Sequence, residues 1–235
     1  MPHCIFQPDT TPTTGQILTV SGPEAHHAIR VKRLEINDPL DLLTGQGHRA
    51  HCIIQDTRKS RGEWELVLRV LDSAIEPPTS PSIHVRSAVP KGDALEQMID
   101  GLSQVGVATW SPLLCTRSIV DPRETKLSRL HRICEESLKQ SARPWLMQIA
   151  DAAPFATALN ETSTTLIIAD ASGQPYTPTP HTNITLLIGP EGGFTPAELA
   201  AAQTSNARIC SFGRHIMRIE VAAVVAAAHI LATRA

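Results

Sequence analysis

Apolar and polar positions change their rhythm near residue 80. Before it the pattern is mostly that of strands. Glu63 to Leu71 alternates, with Trp64, Leu66, Leu68 and Val70 on one face and Glu63, Glu65, Val67 and Arg69 on the other, which predicts a half-buried antiparallel strand. Gln16 to Val20 predicts a short strand. Pro39 to Thr44 and His48 to Gln55 predict a hairpin about the turn Gly45-Gln46-Gly47. Ser21-Gly22-Pro23-Glu24 has the spacing of a capping box and opens a helix to about Leu34. These pieces fit a small closed or nearly closed β-barrel with one helix, residues 1–75. Glu76-Pro77-Pro78-Thr79-Ser80-Pro81 follows, and its prolines predict an extended linker over residues 76–82.

From residue 83 to 235 strands alternate with helices. Strands are predicted at Ile83–Val89, Ala108–Leu114, Leu146–Ala150, Thr164–Asp170, Ile184–Ile188 and Arg208–Phe212. Asp93 is placed to cap a helix with Glu96 at its third position, and Gly106 to stop it. Leu95, Met98, Ile99, Leu102 and Val105 give that helix its apolar face. Lys126–Ala142 is a second helix and Pro154–Asn160 a short one, with Ala171–Asn183 left as a loop. Thr195, Pro196 and Glu198 form a capping box with proline inside it, and a nearly charge-free helix runs from Glu220 to Ala232. Such alternation argues for an α/β domain with a mostly parallel sheet covered on both faces.

With 235 residues and 42% hydrophobic content, the chain holds one large domain or two small ones with a real core. The net charge of −2 argues against a protein coated in nucleic acid, but leaves room for a local basic patch. Five cysteines lie scattered without paired spacing, which predicts free thiols in a reducing cytoplasm and no metal site. The N-terminal MPHCIFQPD lacks the basic and apolar segments of a signal peptide. The last helix is shorter than the roughly 20 residues a membrane span needs. A cytoplasmic location and no membrane partner are therefore expected.

Two glycine loops concentrate the candidate chemistry. The strand ending at Ile188 runs into Gly189-Pro190-Glu191-Gly192-Gly193, and the strand ending at Phe212 runs into Gly213-Arg214-His215-Ile216-Met217-Arg218. Ligands of open α/β sheets bind beyond the carboxyl ends of strands, and glycines there let backbone groups approach closely. A second basic element is His26-His27-Ala28-Ile29-Arg30-Val31-Lys32-Arg33, with no acid between Ala25 and Leu34. It reads either as a solvated face or as a set of phosphate contacts.

The stretch from Leu186 to Ala223 resembles the signature of the RsmE family, within the SPOUT class of methyltransferases. The resembling segments are Leu187 to Gly193, Pro196 to Ala202 and Phe212 to Ala222. The resemblance runs the length of the chain. It implies methyl transfer from S-adenosyl-L-methionine to N3 of a uridine in 16S rRNA of the small ribosomal subunit. It also implies a SPOUT α/β domain with a C-terminal trefoil knot, a preceding PUA-like RNA-binding β-barrel, and a homodimer. A SPOUT enzyme with another rRNA or tRNA target, or a non-catalytic RNA-binding assembly factor, are the competing readings.

For that chemistry the cofactor-binding candidates are Leu187, Ile188, Gly189, Pro190, Glu191, Gly192, Gly193, Ser211, Phe212, Gly213, Ile216, Met217 and Arg218. Uracil N3 is a poor nucleophile until its proton leaves, and a fixed cation beside the carbonyl oxygens stabilises the charge that develops. Arg218, matching the family's R-x-E, is the candidate cation. Glu220 is either a base or a cap of the last helix. Arg30, Lys32 and Arg33 are RNA-phosphate candidates where the family's H-x-x-x-V-L-R falls, with Lys32 replacing the usual Leu and a solvated face as the alternative. Lys91, Arg117 and Arg143 match further family positions, with a surface ion pair as the alternative for each. The chain departs from the family pattern at Gly101, Gln104 and Val105, and at Ile219 and Val221, where two hydroxyl side chains are lost. Those losses bear on substrate geometry.

Overall fold

The computed structural model describes residues 3–60, 62–120 and 127–233. The chain divides into two compact units. One comprises residues 1–78 and 135–146, the other residues 79–134 and 147–235.

The strands of the first unit are β1 (His3–Phe6), β2 (Ile17–Ser21), β3 (Pro39–Leu43), β4 (His48–Ser60) and β5 (Glu63–Ile75). They form one sheet in the order β1-β3-β4-β5-β2. All neighbours are antiparallel except β1 and β3. The alternation read in β5 is seen: Leu66, Leu68 and Val70 are buried, and they join Ile5, Leu40, Leu42 and Ile54 in one core. Each such side chain contributes about 1.5–3 kcal/mol on burial. The helix expected to reach Leu34 is shorter. A turn of α-helix, α1 (Pro23–His26), passes into a π-type turn over residues 27–31, and Arg33 then takes a positive φ of 57°. The expected capping box at Ser21 does not form. Glu24 instead accepts from the Phe6 N–H at 3.1 Å and from Lys139 Nζ at 2.6 Å.

The sequence pattern places residues 135–146 in the second domain, but they pack with the first unit. Leu138 and Leu146 join Cys4, Leu43 and Phe6 in an apolar cluster. Trp145 donates from its ring nitrogen to the Glu76 carbonyl, 2.9 Å away, and its ring lies where a Cβ at Gly47 would stand. Only a glycine fits there.

The second unit carries β6 (Ser82–Ser87), α2 (Ala94–Val105), β7 (Thr109–Leu114), α3 (Leu127–Ser141, its first part), β8 (Gln148–Ile149), β9 (Ala153–Pro154), α4 (Phe155–Ala158), β10 (Thr165–Pro175), β11 (Asn183–Ile188), α5 (Pro196–Thr204), β12 (Arg208–Ser211) and α6 (Ile219–Ala232). Lys126, the expected start of α3, lies outside the described residues. The sheet order is β12-β10-β11-β6-β7-β8, with β9 beside β7, and every described ladder is parallel. Gly106 ends α2 in the left-handed conformation, as its sequence predicts, whereas Asp93 makes no side-chain cap. Glu96 turns instead to Arg129 at 2.7 Å. Helices α2 and α6 approach closely at Gly101, where a Cβ would come within 2.8 Å of the Val224 side chain. The departure at Gly101 therefore accommodates a valine on α6.

A polar network crosses the amino-terminal half of this sheet. His84 Nε2 and Arg86 Nη1 both meet the Ser111 hydroxyl, at 2.9 and 3.0 Å. Arg86 also pairs with Glu161, which accepts from Thr185 at 2.9 Å. Burial pushes His84 down to about 4, and the Arg86 charge adds to the effect.

Candidate functional site

Strands β11 and β12 end beside residues 169–171 of β10, and there the sheet opens into a cavity of about 320 Å³. That volume is at the small end of what ligand pockets span, and its place follows the strand-end rule. Both glycine loops line it. Ile188, Gly189, Pro190, Glu191, Gly192 and Gly193 come from the first, and Ser211, Phe212, Gly213, Ile216 and Met217 from the second. These are eleven of the thirteen cofactor candidates read from the sequence. The other two lie elsewhere. Leu187 is fully buried in the cluster of Leu113, Phe155, Ile168 and Phe194, because successive residues of a strand face opposite ways. Arg218 is exposed and extended at the start of α6, and its carbonyl accepts from the Ala222 N–H at 2.8 Å.

The glycines have separate physical roles. Gly193 has a φ of 67°, which strains any L side chain. At Gly189 a Cβ would come within 3.0 Å of the Phe194 ring, which packs under the loop. Gly192 leaves room for Arg117. The Arg117 guanidinium donates to the Gly192 carbonyl at 2.6 Å and lies 3.5 Å from that of Phe194.

Directly after the loop, α5 begins with the capping box its sequence predicts. Thr195 Oγ1 accepts from the Glu198 N–H at 3.1 Å, and Glu198 Oε2 accepts from the Thr195 N–H at 2.7 Å. Glu198 Oε1 also accepts from the Thr116 N–H at 2.8 Å. Burial alone pushes the Glu198 carboxyl up, but the bonds from Thr195 and Thr116 outweigh it and hold the group below its ordinary value. The loop carrying Thr116 and Arg117 is thereby fastened to the glycine loop at Gly192 and to the first turn of α5 at Glu198. The Cys115 thiol beside it is pushed up to about 12, first by burial and then by the Glu198 charge, so it is no nucleophile at neutral pH.

Pattern reading missed several lining residues: Ala169, Asp170, Ala171, Phe194, His215, Ile219 and Ala222. Asp170 carried a signal, since it ends the apolar run Thr164–Asp170, although β10 itself continues to Pro175. Glu220 lies in the first turn of α6, where its charge meets the positive helix end. Of the remaining candidates, Arg30 lies over the Trp64 ring, 5.8 Å from its centroid, and is exposed, as are Lys32, Arg33 and Lys91. Arg143 is partly buried. Among the described residues no cluster of His, Cys, Asp and Glu has the makings of a metal site, and no helix is long and apolar enough to cross a membrane.

Residues 77–231 match the family model of an RNA methyltransferase domain, and residues 20–63 that of an RNA methyltransferase PUA domain. A ribosomal RNA small subunit methyltransferase E from Mycobacterium bovis is 30% identical over 244 residues, covering 94% of this chain and 88% of that protein. A ribosomal RNA small subunit methyltransferase E from Neisseria gonorrhoeae, solved bound to S-adenosyl methionine, superposes with a TM-score of 0.83 at 21% identity, covering 99% and 98% of the two chains. A methyltransferase from Legionella pneumophila, solved with bound cofactor SAM, gives 0.82 at 24% identity, covering 99% and 98%.

Proposed function

The chain belongs to the ribosomal RNA small subunit methyltransferase E family, and on that premise we propose that it uses S-adenosylmethionine to methylate N3 of a uridine in the 16S rRNA of the small ribosomal subunit. The observation that carries the proposal is the convergence of both glycine loops on one cavity at the carboxyl ends of β11 and β12, beside residues 169–171 of β10.

The residues present fit that cofactor. Gly189, Gly192 and Gly193 offer backbone groups without a Cβ between them and a ligand, and Ile188, Phe212, Ile216 and Met217 supply apolar walls. When bound, S-adenosylmethionine supplies a methyl group on a cationic sulfur, open to in-line displacement. The chain's own part is to hold the reacting groups in register, which supplies much of the rate. Arg218 reaches out next to the second loop, and its guanidinium stabilises the negative charge that a deprotonated uracil spreads over its carbonyl oxygens. Glu220 takes the N3 proton or supports the start of α6.

On this reading the first domain, residues 1–75, holds the RNA, with Lys32 and Arg33 as exposed phosphate contacts and Arg30 stacked beside them. Residues 76–82 link it to the catalytic domain, residues 83–235, where Lys91 and Arg117 meet the same RNA. Arg143 serves phosphate as well. The enzyme works as a cytoplasmic homodimer with a trefoil-knotted catalytic domain. Exposed Val221 and Val225 on α6, and Ile216 at 94% exposure, support an apolar dimer contact.

Calorimetric binding of S-adenosylmethionine to the whole chain and to Gly193→Val tests the cofactor assignment. Binding by the parent and its loss in a folded variant is expected. No binding by the parent contradicts the proposal.

A further inference from the structure

Strand β10 does not end where its pairing with β12 first ends. The ladder runs from Ile167–Arg208 to Ala169–Cys210, and resumes at Gln174, again opposite Cys210. Residues 170–173 are thus extruded as a bulge. The bulge depends on Gly173, because a Cβ there would collide with the Ile209 carbonyl. Bulges of this kind re-aim side chains beside binding sites. Here the first extruded residue is Asp170, which lines the cavity.

Asp170 is held as well as aimed. Its Oδ1 accepts from the Ser172 N–H at 2.9 Å and from the Ser172 hydroxyl at 2.6 Å. No described protein group bonds Oδ2. The titratable residues lining the cavity are Asp170, Glu191 and His215, and no Lys or Arg is among the described lining. Glu191 is exposed, whereas Asp170 is half-buried and fixed by Ser172. A fixed, half-buried carboxylate in a cavity with no Lys or Arg among its described lining selects for a cation by charge attraction, which partial burial strengthens.

We propose that Asp170 is a cofactor-binding residue that meets the positive charge of S-adenosylmethionine through Oδ2. The proposal rests on the methyltransferase reading of this cavity and deepens it. Shape and apolar contacts would recognise any adenosine thioether. Asp170 gives the site its preference for the charged molecule over its neutral relatives.

Calorimetry on the whole chain tests this with three probes and the isosteric variant Asp170→Asn. S-adenosylmethionine carries a sulfonium and an ammonium, S-adenosylhomocysteine keeps only the ammonium, and 5′-methylthioadenosine carries neither. The expected result is that the variant binds S-adenosylmethionine about tenfold more weakly, with 5′-methylthioadenosine unchanged within about twofold. A matching loss for S-adenosylhomocysteine assigns the contact to the ammonium, and its absence assigns the contact to the sulfonium. Equal losses for S-adenosylmethionine and 5′-methylthioadenosine, or no loss at all, overturn the proposal. Failure of the parent chain to bind any of the three overturns the methyltransferase reading itself, and this inference with it.

Discussion

The Arg117 guanidinium donates a 2.6 Å hydrogen bond to the carbonyl of Gly192, across 75 positions of sequence. A residue whose type suggested RNA contact thus grips the loop that forms the cavity. Arg117→Ala is expected to weaken S-adenosylmethionine binding about three- to tenfold, the size of one or two lost hydrogen bonds. Stability should change little, because the side chain is exposed. Calorimetry and thermal melting check both. If cofactor affinity is unchanged and only salt-dependent RNA affinity falls, RNA contact is the one role of Arg117 and the loop contact is incidental.

Glu198 ties the start of α5 to Thr116. Glu198→Gln should cost about 1–3 kcal/mol, because the charged acceptor of three hydrogen bonds becomes a neutral one. The folded-state carboxyl lies below its ordinary value, so its contribution is complete above the unfolded-state value of 4.5 and is lost as pH falls through the folded-state value. Urea unfolding across that acid range should show a loss of stability in the parent that is smaller in Glu198→Gln.

His84 gives a second pH dependence. Its neutral form is favoured in the fold, with the group lowered from 6.5 to about 4. Stability linked to it is complete above pH 6.5 and declines as pH falls toward 4, by about 2 kcal/mol between pH 7 and pH 5. His84→Gln should flatten that decline in urea titrations. An equal slope in the variant would assign the effect to other groups.

Leu187 separates core from site. Leu187→Ala should lower stability by about 2–5 kcal/mol, since it empties a fully buried position among Phe155 and Phe194. The folded fraction should keep its cofactor affinity. A melt unchanged within error, with affinity lost, would return Leu187 to the site.

The capping box at Thr195 and Glu198 was legible because both partners lie within one helical turn. Ser21 and Glu24 have the same spacing and fail, because Glu24 is taken by Phe6 and by Lys139, 115 residues further on. Local pattern rules cannot see such partners. For the same reason β1 was missed, since four residues gain their strand character only by pairing with β3. The alternation of strands and helices gave the α/β class, but not the order β12-β10-β11-β6-β7-β8. Glycines marked two walls of the cavity. The third wall stayed hidden, because the bulge that aims Asp170 follows from the approach of Gly173 to Ile209, which no spacing records.

Methyl transfer from labelled S-adenosylmethionine to small ribosomal subunits lacking the modification, with mass analysis of the nucleosides, tests the assigned reaction. Label is expected in 3-methyluridine, with turnover falling at least about a hundredfold in Arg218→Ala while cofactor binding persists. Cofactor binding by the parent with no label in 3-methyluridine would contradict it.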